Sequence, residues 1–193
     1  MAHGQLNILP KYAVSTYSWL PIHDIELPGR DIEMPKDGSD GPHKVGFLLL
    51  QGFPLMAYAA ATEPLTGVNR MTRRALYECH VFSVDGGHVL SSSDFLMPAP
   101  NTLDEDTDLD ILFVCAGNNA AAVDHKPTRD RLRAMAKAGV QIGGISGGPY
   151  ILARAGLLRG YRFTMHWDHF ASFSEEFPDL EPTASLFELD RDR

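Results

Sequence analysis

The sequence predicts a single α/β domain in which a parallel β-sheet is covered by helices on both faces. Short apolar runs bounded by turn residues recur along the chain, and segments with helical spacing lie between them. Runs that are apolar throughout are typical of strands buried on both faces of a parallel sheet. The chain has 193 residues, which is enough for one sizeable core and too few for two ordinary domains.

Residues 1–43 differ in composition and hydrophobic pattern from the remainder of the chain. They carry prolines at positions 10, 21, 28, 35 and 42, and they end in the turn-rich segment KDGSDGP before His43. No period of 2 or 3.6 residues is sustained there, so we predict an extended or partly disordered N-terminal arm. The α/β domain is therefore expected over residues 44–193.

The first half of this domain is predicted to fold as a strand, a helix and a second strand. The apolar run KVGFLLL at 44–50 is the first strand, and residues 54–71 have helical spacing. Pro64 lies inside that helical pattern, and we expect it to kink or end the helix. The second strand is expected at 76–84, before a turn at 85–87.

The second half alternates strands with helices, as a parallel sheet requires. Gly139 follows the amphipathic segment 126–138 and is expected to close that helix. Expected strands are DILFVCAG (110–117), VQIGGI (140–145), YRFTMH (161–166) and SLFEL (185–189), and the other expected helices are GGPYILARAG (147–156) and HWDHFASFSEEF (166–177).

Composition and charge exclude several classes of protein. The net charge is -8 and no basic run is present, which argues against a nucleic-acid surface on this chain. The apolar runs are too short to span a bilayer, and no secretory signal is recognisable, so we expect a cytoplasmic protein. Cys79 and Cys115 lie in predicted strands without metal-ligand spacing and are expected to be buried free thiols. The histidines lack matching ligands as well, so neither a metal nor a cofactor is predicted.

The segment GISGG at 144–148 matches G-x-S-x-G, the pattern of a nucleophile elbow. Such a turn between a strand and a helix exposes a serine hydroxyl, here that of Ser146. The N–H of Gly147 is expected to point at an anion beside that hydroxyl, and Gly117 or Asn118 is expected to supply a second donor. His166, at the end of the next predicted strand, is the candidate base.

A glycine-rich packing turn with a helix-capping serine explains the same pattern equally well. The α/β-hydrolases are excluded by length, because their acid and histidine follow the serine after a long stretch of sheet. Too few residues follow Ser146 in this chain for that arrangement.

Several ordered segments resemble one protein family. The most specific are the EPL…NR stretch at 63–70, the ARAGLL…G segment at 153–160 and Thr-x-His-Trp at 164–167. From residue 45 to residue 193 the chain resembles the ThiJ/PfpI superfamily, whose fold is flavodoxin-like and is shared with class I glutamine amidotransferases. It is most similar to the N-terminal domain of AraC-type transcriptional regulators of the GlxA kind.

The resemblance implies that the catalytic positions have lost their activity. Enzymes of the superfamily carry a cysteine where Ser146 stands and a histidine where His166 stands, and an acid near Ala57 is missing here. A serine hydroxyl needs a well-placed base and an orienting group for that base. Asp168 is two residues from His166 at an expected helix start, so the two side chains are not expected to face each other.

The resemblance further implies a non-catalytic, ligand-sensing domain of a regulator. Its ligand is expected to be a small metabolite of amino-acid or betaine-like character, and the chain is expected to form a homodimer. A serine- or cysteine-type hydrolase or amidase of the same superfamily is the alternative, and a dimerisation module with a vestigial pocket is the second. The implied pocket residues are Gly117, Asn118, Ser146, Gly147, His166 and Trp167.

Regulators of this kind continue beyond the matching region with a glycine-rich segment and a pair of helix-turn-helix units. The present sequence stops at Arg193. We therefore expect an amidotransferase-like domain without its last C-terminal segment and without a DNA-binding domain. Trp167 and Tyr150 are expected to pack in the core; the alternative is that they form an aromatic wall of the pocket, suited to a quaternary amine.

Overall fold

The structure is a computed structural model that describes residues 41–104 and 107–193. The arm predicted at the N-terminus lies almost entirely outside these residues. Its last residue, His43, already belongs to the first strand. The described strands are β1 (His43–Leu49), β2 (Tyr77–Phe82), β3 (His88–Leu90), β4 (Leu96–Pro98), β5 (Ile111–Ala116) and β6 (Gln141–Ser146), and the α-helices are α1 (Leu55–Thr72), α2 (Lys126–Lys137), α3 (Gly148–Arg154) and α4 (Phe170–Glu176).

Four strands form a parallel sheet in the order β2-β1-β5-β6. One face of this sheet is covered by α2, α3 and α4, and its buried side chains include Leu112, Leu132 and Phe173. The other face is covered by α1 and by the antiparallel hairpin of β3 and β4, around Phe47 and Phe53. The predicted α/β fold, with helices on both faces of a parallel sheet, is confirmed.

Helix α1 differs from its prediction because it runs through Pro64 to Thr72. Proline lacks the N–H that would bond the carbonyl of Ala60. Pro64 and Ala60 both lie on the exposed side of the helix, where that carbonyl is accessible to solvent. Pro64 was expected to kink or end this helix, and the second of these two expectations was wrong.

Two strands predicted near the C-terminus are not formed. Residues 161–166 and 185–189 contain no strand, and only an isolated bridge joins Thr164 to Thr183. The Thr164 hydroxyl donates to the carbonyl oxygens of Thr183 and Ser185, which links the two segments through a side chain and not through a strand ladder. Leu186 is 97% exposed, so the apolar residues of segment 185–189 do not indicate a buried strand.

The two cysteines lie in different surroundings. Cys115 in β5 is fully buried, and burial raises the pKa of its thiol to about 12. Cys79 lies on the exposed side of β2, so the expectation of a second buried thiol was wrong. Among the described residues, no helix combines the length and apolar character needed to cross a membrane.

Candidate functional site

The strand β6 ends at Ser146 and the helix α3 begins at Gly148, so the predicted turn between strand and helix is present. Ser146 has φ of 59°, in the left-handed region that residues with a side chain rarely occupy. A serine held in this conformation at the carboxyl end of a parallel strand is the geometry of an elbow. Strain of this kind is typical of functional sites.

The backbone around this elbow is packed too closely for side chains. A Cβ atom on Gly147 would lie 2.7 Å from the Gly117 carbonyl oxygen, 2.8 Å from the Ala120 Cβ and 3.0 Å from Nε2 of His169. A Cβ on Gly148 would overlap the carbonyl oxygen of Val114. The glycines therefore allow the elbow to sit directly on the loop that follows β5.

The N–H of Gly147 does not serve as the open anion donor that the sequence predicted. It donates a hydrogen bond of 2.9 Å to the carbonyl oxygen of Ala116 and so extends the ladder between β5 and β6. The carbonyl of Ser146 accepts a hydrogen bond from the backbone N–H of His166 at 3.2 Å. That bond brings the segment carrying His166 beside the elbow, although no strand leads to it.

His166 and Trp167 lie on the surface of this site. Nδ1 of His166 accepts a hydrogen bond from the backbone N–H of Asp168, which caps the short 3-10 helix at 167–169. The centroids of the His166 and Trp167 rings lie 5.4 Å apart, and the Trp167 residue is 73% exposed. Trp167 is therefore exposed, and the expectation that it packs in the core was wrong.

The sequence analysis missed His169, which is the histidine buried beside the elbow. It is 3% exposed, and its Nε2 has no hydrogen-bond partner among the residues that the structure describes. Burial, and then the charge of His166, lower the pKa of the ring, so the neutral form is favoured. The only sequence signal was its spacing of three residues from His166, and this spacing was considered only for metal binding. The described residues contain no cluster suited to a metal ion.

Tyr150 belongs to the core that supports the elbow, as expected from the sequence. Its ring is buried against Phe173, and its hydroxyl donates to a carboxylate oxygen of Glu176 at 2.8 Å. The same carboxylate accepts two hydrogen bonds of 2.8 Å from Arg154, at the end of α3. These contacts fix the helix that follows Ser146.

The structure brings part of the predicted pocket together. Gly117 packs against Gly147, and the backbone of His166 contacts Ser146. Asn118 follows Gly117 in the loop after β5 and is exposed. Among the described residues, the hydroxyl of Ser146 makes no hydrogen bond with a histidine. The arrangement offers a hydroxyl, an exposed imidazole and an exposed indole at one edge of the sheet.

Replacing Ser146 with glycine is expected to leave stability unchanged or to raise it by up to about 1 kcal/mol, because glycine adopts the left-handed conformation without strain. Chemical denaturation measures this difference. Ser174→Gly, at an exposed position in α4, is the matched control and should lower stability by about 0.5 kcal/mol through helix propensity. Equal losses in both variants would show that the turn at Ser146 is not strained.

His169 is expected to make the folded state sensitive to mild acid. Its pKa is lowered on folding, so its contribution is complete above the ordinary histidine pKa of about 6.5. The contribution is lost as the pH falls from there toward the lowered pKa of the folded state. His169→Gln should flatten the fall in unfolding free energy over this range, measured by urea denaturation. His88→Gln, on the exposed side of β3, should leave it unchanged.

Comparison with known proteins gives a consistent result. A model of the DJ-1/PfpI family matches residues 43–179. The chain is 40% identical over 148 residues to the HTH-type transcriptional regulator GlxA of Rhizobium meliloti, covering 76% of this chain and 46% of that protein. It is 41% identical over 147 residues to the HTH-type transcriptional regulator CdhR of Pseudomonas aeruginosa, covering 76% of this chain and 44% of that protein.

Solved structures similar to this chain include a transcriptional regulator and a ThiJ/PfpI family protein. The crystal structure of an AraC family transcriptional regulator from Pseudomonas putida has a TM-score of 0.69 and 32% identity, with 79% of this chain and 82% of that chain covered. The crystal structure of a ThiJ/PfpI family protein from Pseudomonas syringae has a TM-score of 0.62 and 24% identity, with 89% of this chain and 69% of that chain covered. This likeness shows a shared fold. The chain spans less than half the length of the curated regulators described above.

Proposed function

This chain belongs to the DJ-1/PfpI family, and we propose that it is the ligand-sensing, non-catalytic domain of an AraC-type transcriptional regulator. Its relatives GlxA and CdhR are HTH-type transcriptional regulators. The observation that carries the proposal is the elbow itself, which holds a serine in a strained turn without a histidine bonded to its hydroxyl. A serine without a base bonded to its hydroxyl is not an activated nucleophile, which favours a binding role over catalysis.

The surroundings of Ser146 support binding rather than hydrolysis. The N–H of Gly147 is used in the sheet, so it does not stabilise a developing oxyanion. Nδ1 of His166 caps a helical turn, and Nε2 of His169 faces Gly147. Neither imidazole is oriented by a carboxylate, which a serine nucleophile needs for its base.

The proposed ligand is a small amino-acid or betaine-like metabolite that contacts Ser146, Asn118 and Trp167. An exposed indole suits a cationic or quaternary amine, and the hydroxyl and amide supply hydrogen bonds. We also propose that the chain forms a homodimer. We propose a cytoplasmic location, because regulators of transcription act in the cytoplasm. Contacts with DNA would be made by other parts of such a regulator, since the chain carries a net charge of -8.

One observation favours a second candidate, a serine hydrolase or amidase of the same family. The left-handed φ of Ser146 is the conformation that a nucleophile elbow requires. Assays with simple esters, amides and glutamine distinguish the two candidates. We expect no turnover, whereas turnover that disappears in a folded Ser146→Ala variant would establish the enzyme.

A thermal-shift screen of amino acids, betaines and carboxylates tests the sensing function. A compound that binds only the folded state stabilises it by RT ln(1 + [L]/Kd), about 2.7 kcal/mol at a hundredfold excess over Kd. We expect at least one compound to raise the melting temperature clearly. Ser146→Asn, in which asparagine tolerates the left-handed turn but fills the site, should abolish that rise.

Two exposed aromatic residues supply a matched control for the site. Trp167→Ala should weaken the response, whereas Phe95→Ala, which removes a 64% exposed ring after β3, should leave it intact. A response that persists in both Ser146→Asn and Trp167→Ala would place the ligand elsewhere. If no compound raises the melting temperature, the dimerisation module becomes the better explanation.

A further inference from the structure

A cavity distinct from the elbow lies between the sheet and the start of α2. Its volume is about 70 Å³. It is bordered by the end of β1, the segment after β2, the loop at 102–103 and the first two turns of α2. The lining residues that matter here are Leu48, Ser83, Leu103, His125, Thr128 and Arg131. None of them belongs to the elbow.

Arg131 is a cation without a partner in the part of the chain that the structure describes. Its Nε is buried and makes no hydrogen bond. The neighbouring cations of α2 are paired, Arg129 with Asp124 and Arg133 with Asp130. A buried donor that is left unpaired costs free energy, so the arginine in this cavity wall is suited to an acceptor from outside the chain.

The other polar groups of the cavity are already oriented. Nδ1 of His125 lies 2.8 Å from the Thr128 hydroxyl and also accepts the backbone N–H of Thr128. Because this nitrogen is an acceptor, the neutral ring carries its proton on Nε2. The hydroxyl of Ser83 donates to the Ala99 carbonyl and is satisfied. The donors that remain on the described cavity wall therefore include Arg131, the Nε2–H of His125 and the hydroxyl of Thr102, and Arg131 is the cation among them.

Among the described residues, the carboxylates of Asp104 and Asp124 make other contacts and form no ion pair with Arg131. Asp104, which follows Leu103, accepts a hydrogen bond from the Thr107 hydroxyl at 3.0 Å. Asp124 pairs with Arg129. An anion entering the cavity would therefore meet an unpaired guanidinium, and a guanidinium pairs well with the two oxygens of a carboxylate.

We propose that this cavity binds a small monocarboxylate, with its carboxylate on Arg131. The cavity is much smaller than the pockets of roughly 300–1,000 Å³ that hold drug-sized ligands, so it suits a small molecule. The apolar walls formed by Leu48, Val84, Leu103 and Pro127 suit a short alkyl group and disfavour a fully hydrated phosphate. This site is separate from the elbow, and the inference does not rest on the regulatory function.

Titration of the full chain by NMR tests this site directly. Sodium propionate is added to ¹⁵N-labelled protein, with sodium chloride at matched ionic strength as the reference. The Nε–Hε cross-peak of Arg131, assigned through its own backbone, should shift in a saturable manner with propionate alone. Arg131→Gln should weaken the propionate response of the Thr128 amide by roughly tenfold or more, because a charge-assisted hydrogen bond is lost.

Two control variants separate this site from general charge and from the elbow. Lys137→Gln removes an exposed cation from the end of the same helix and should leave propionate affinity unchanged, as should Ser146→Asn. An Arg131 cross-peak that does not move in the wild-type protein overturns the proposal, whatever the variants do. An equal loss of affinity in Lys137→Gln, or tighter binding of inorganic phosphate than of propionate, overturns it as well.

Discussion

Replacing Gly117 with alanine is expected to prevent stable folding of the domain. A Cβ at this position would overlap the carbonyl oxygen of Gly52, and its carbonyl carbon would be 2.8 Å away. Both atoms are backbone, so no side chain can rotate to relieve the overlap. The two loops that meet here follow β1 and β5 and form the edge on which the elbow rests. A loss above about 4 kcal/mol is expected, which is a large fraction of the stability of most domains.

A second glycine supplies the control for this substitution. Gly67 lies in α1, where a Cβ would meet no atom within 4 Å. Gly67→Ala should raise stability by about 0.5–1 kcal/mol, because alanine has the higher helix propensity. Circular dichroism and urea denaturation of both variants measure the contrast. A well-folded Gly117→Ala variant with stability near wild type would show that the two loops are not in contact.

Arg154→Met is expected to lower the unfolding free energy by about 2–4 kcal/mol. Arg154 makes two hydrogen bonds to Glu176 and one each to the carbonyl oxygens of Val123 and Ala121. Its side chain is only 14% exposed, and its guanidinium lies 5.0 Å from the centroid of the Tyr150 ring. Methionine keeps much of the packing of the stem but leaves a carboxylate and two carbonyls without this donor.

Arg162→Met provides the matched comparison, since Arg162 also pairs with a glutamate but is 71% exposed. An exposed pair contributes at most about 1 kcal/mol, so this variant should remain close to wild type. Urea denaturation at pH 7 gives both values. Equal effects of the two substitutions would show that the network below α3 does not stabilise the elbow.

The same network predicts a pH dependence. The hydrogen bond from Arg154 holds the pKa of Glu176 below its ordinary value. The stabilisation is therefore present above the ordinary carboxyl pKa and is lost as the pH falls through the lowered pKa. The difference in unfolding free energy between wild type and Arg154→Met should shrink in acid. This window begins at a lower pH than the one expected for His169, because the ordinary pKa of a carboxyl group is lower than that of histidine.

The central strands and the longer helices could be predicted from sequence because their patterns are local. Apolar runs placed β1, β5 and β6 nearly to the residue, and helical spacing placed α2. The short hairpin of β3 and β4 was missed, since three-residue strands carry too little alternation to detect. Segments 161–166 and 185–189 have apolar runs without strands, because a strand needs a neighbour to pair with and the runs do not specify one.

Within the candidate functional site, the sequence predicted only the turn at Ser146. The motif GISGG correctly placed Ser146 between a strand and a helix, because the glycines and the change of period are adjacent in sequence. The direction of the Gly147 N–H and the burial of His169 in place of His166 were not predictable in the same way. Both depend on which atoms of distant segments come close, and Arg131 became a candidate site for the same reason.

By itself, the sequence determined the α/β architecture, the family and the serine at the elbow, because periodicity, composition and ordered motifs are properties of the chain alone. The tertiary structure decided which imidazole is buried, which N–H remains in the sheet and which arginine lacks a partner. Hydrogen bonds and desolvation act between groups that the fold brings together from distant parts of the chain, so their outcome depends on packing that local patterns do not encode.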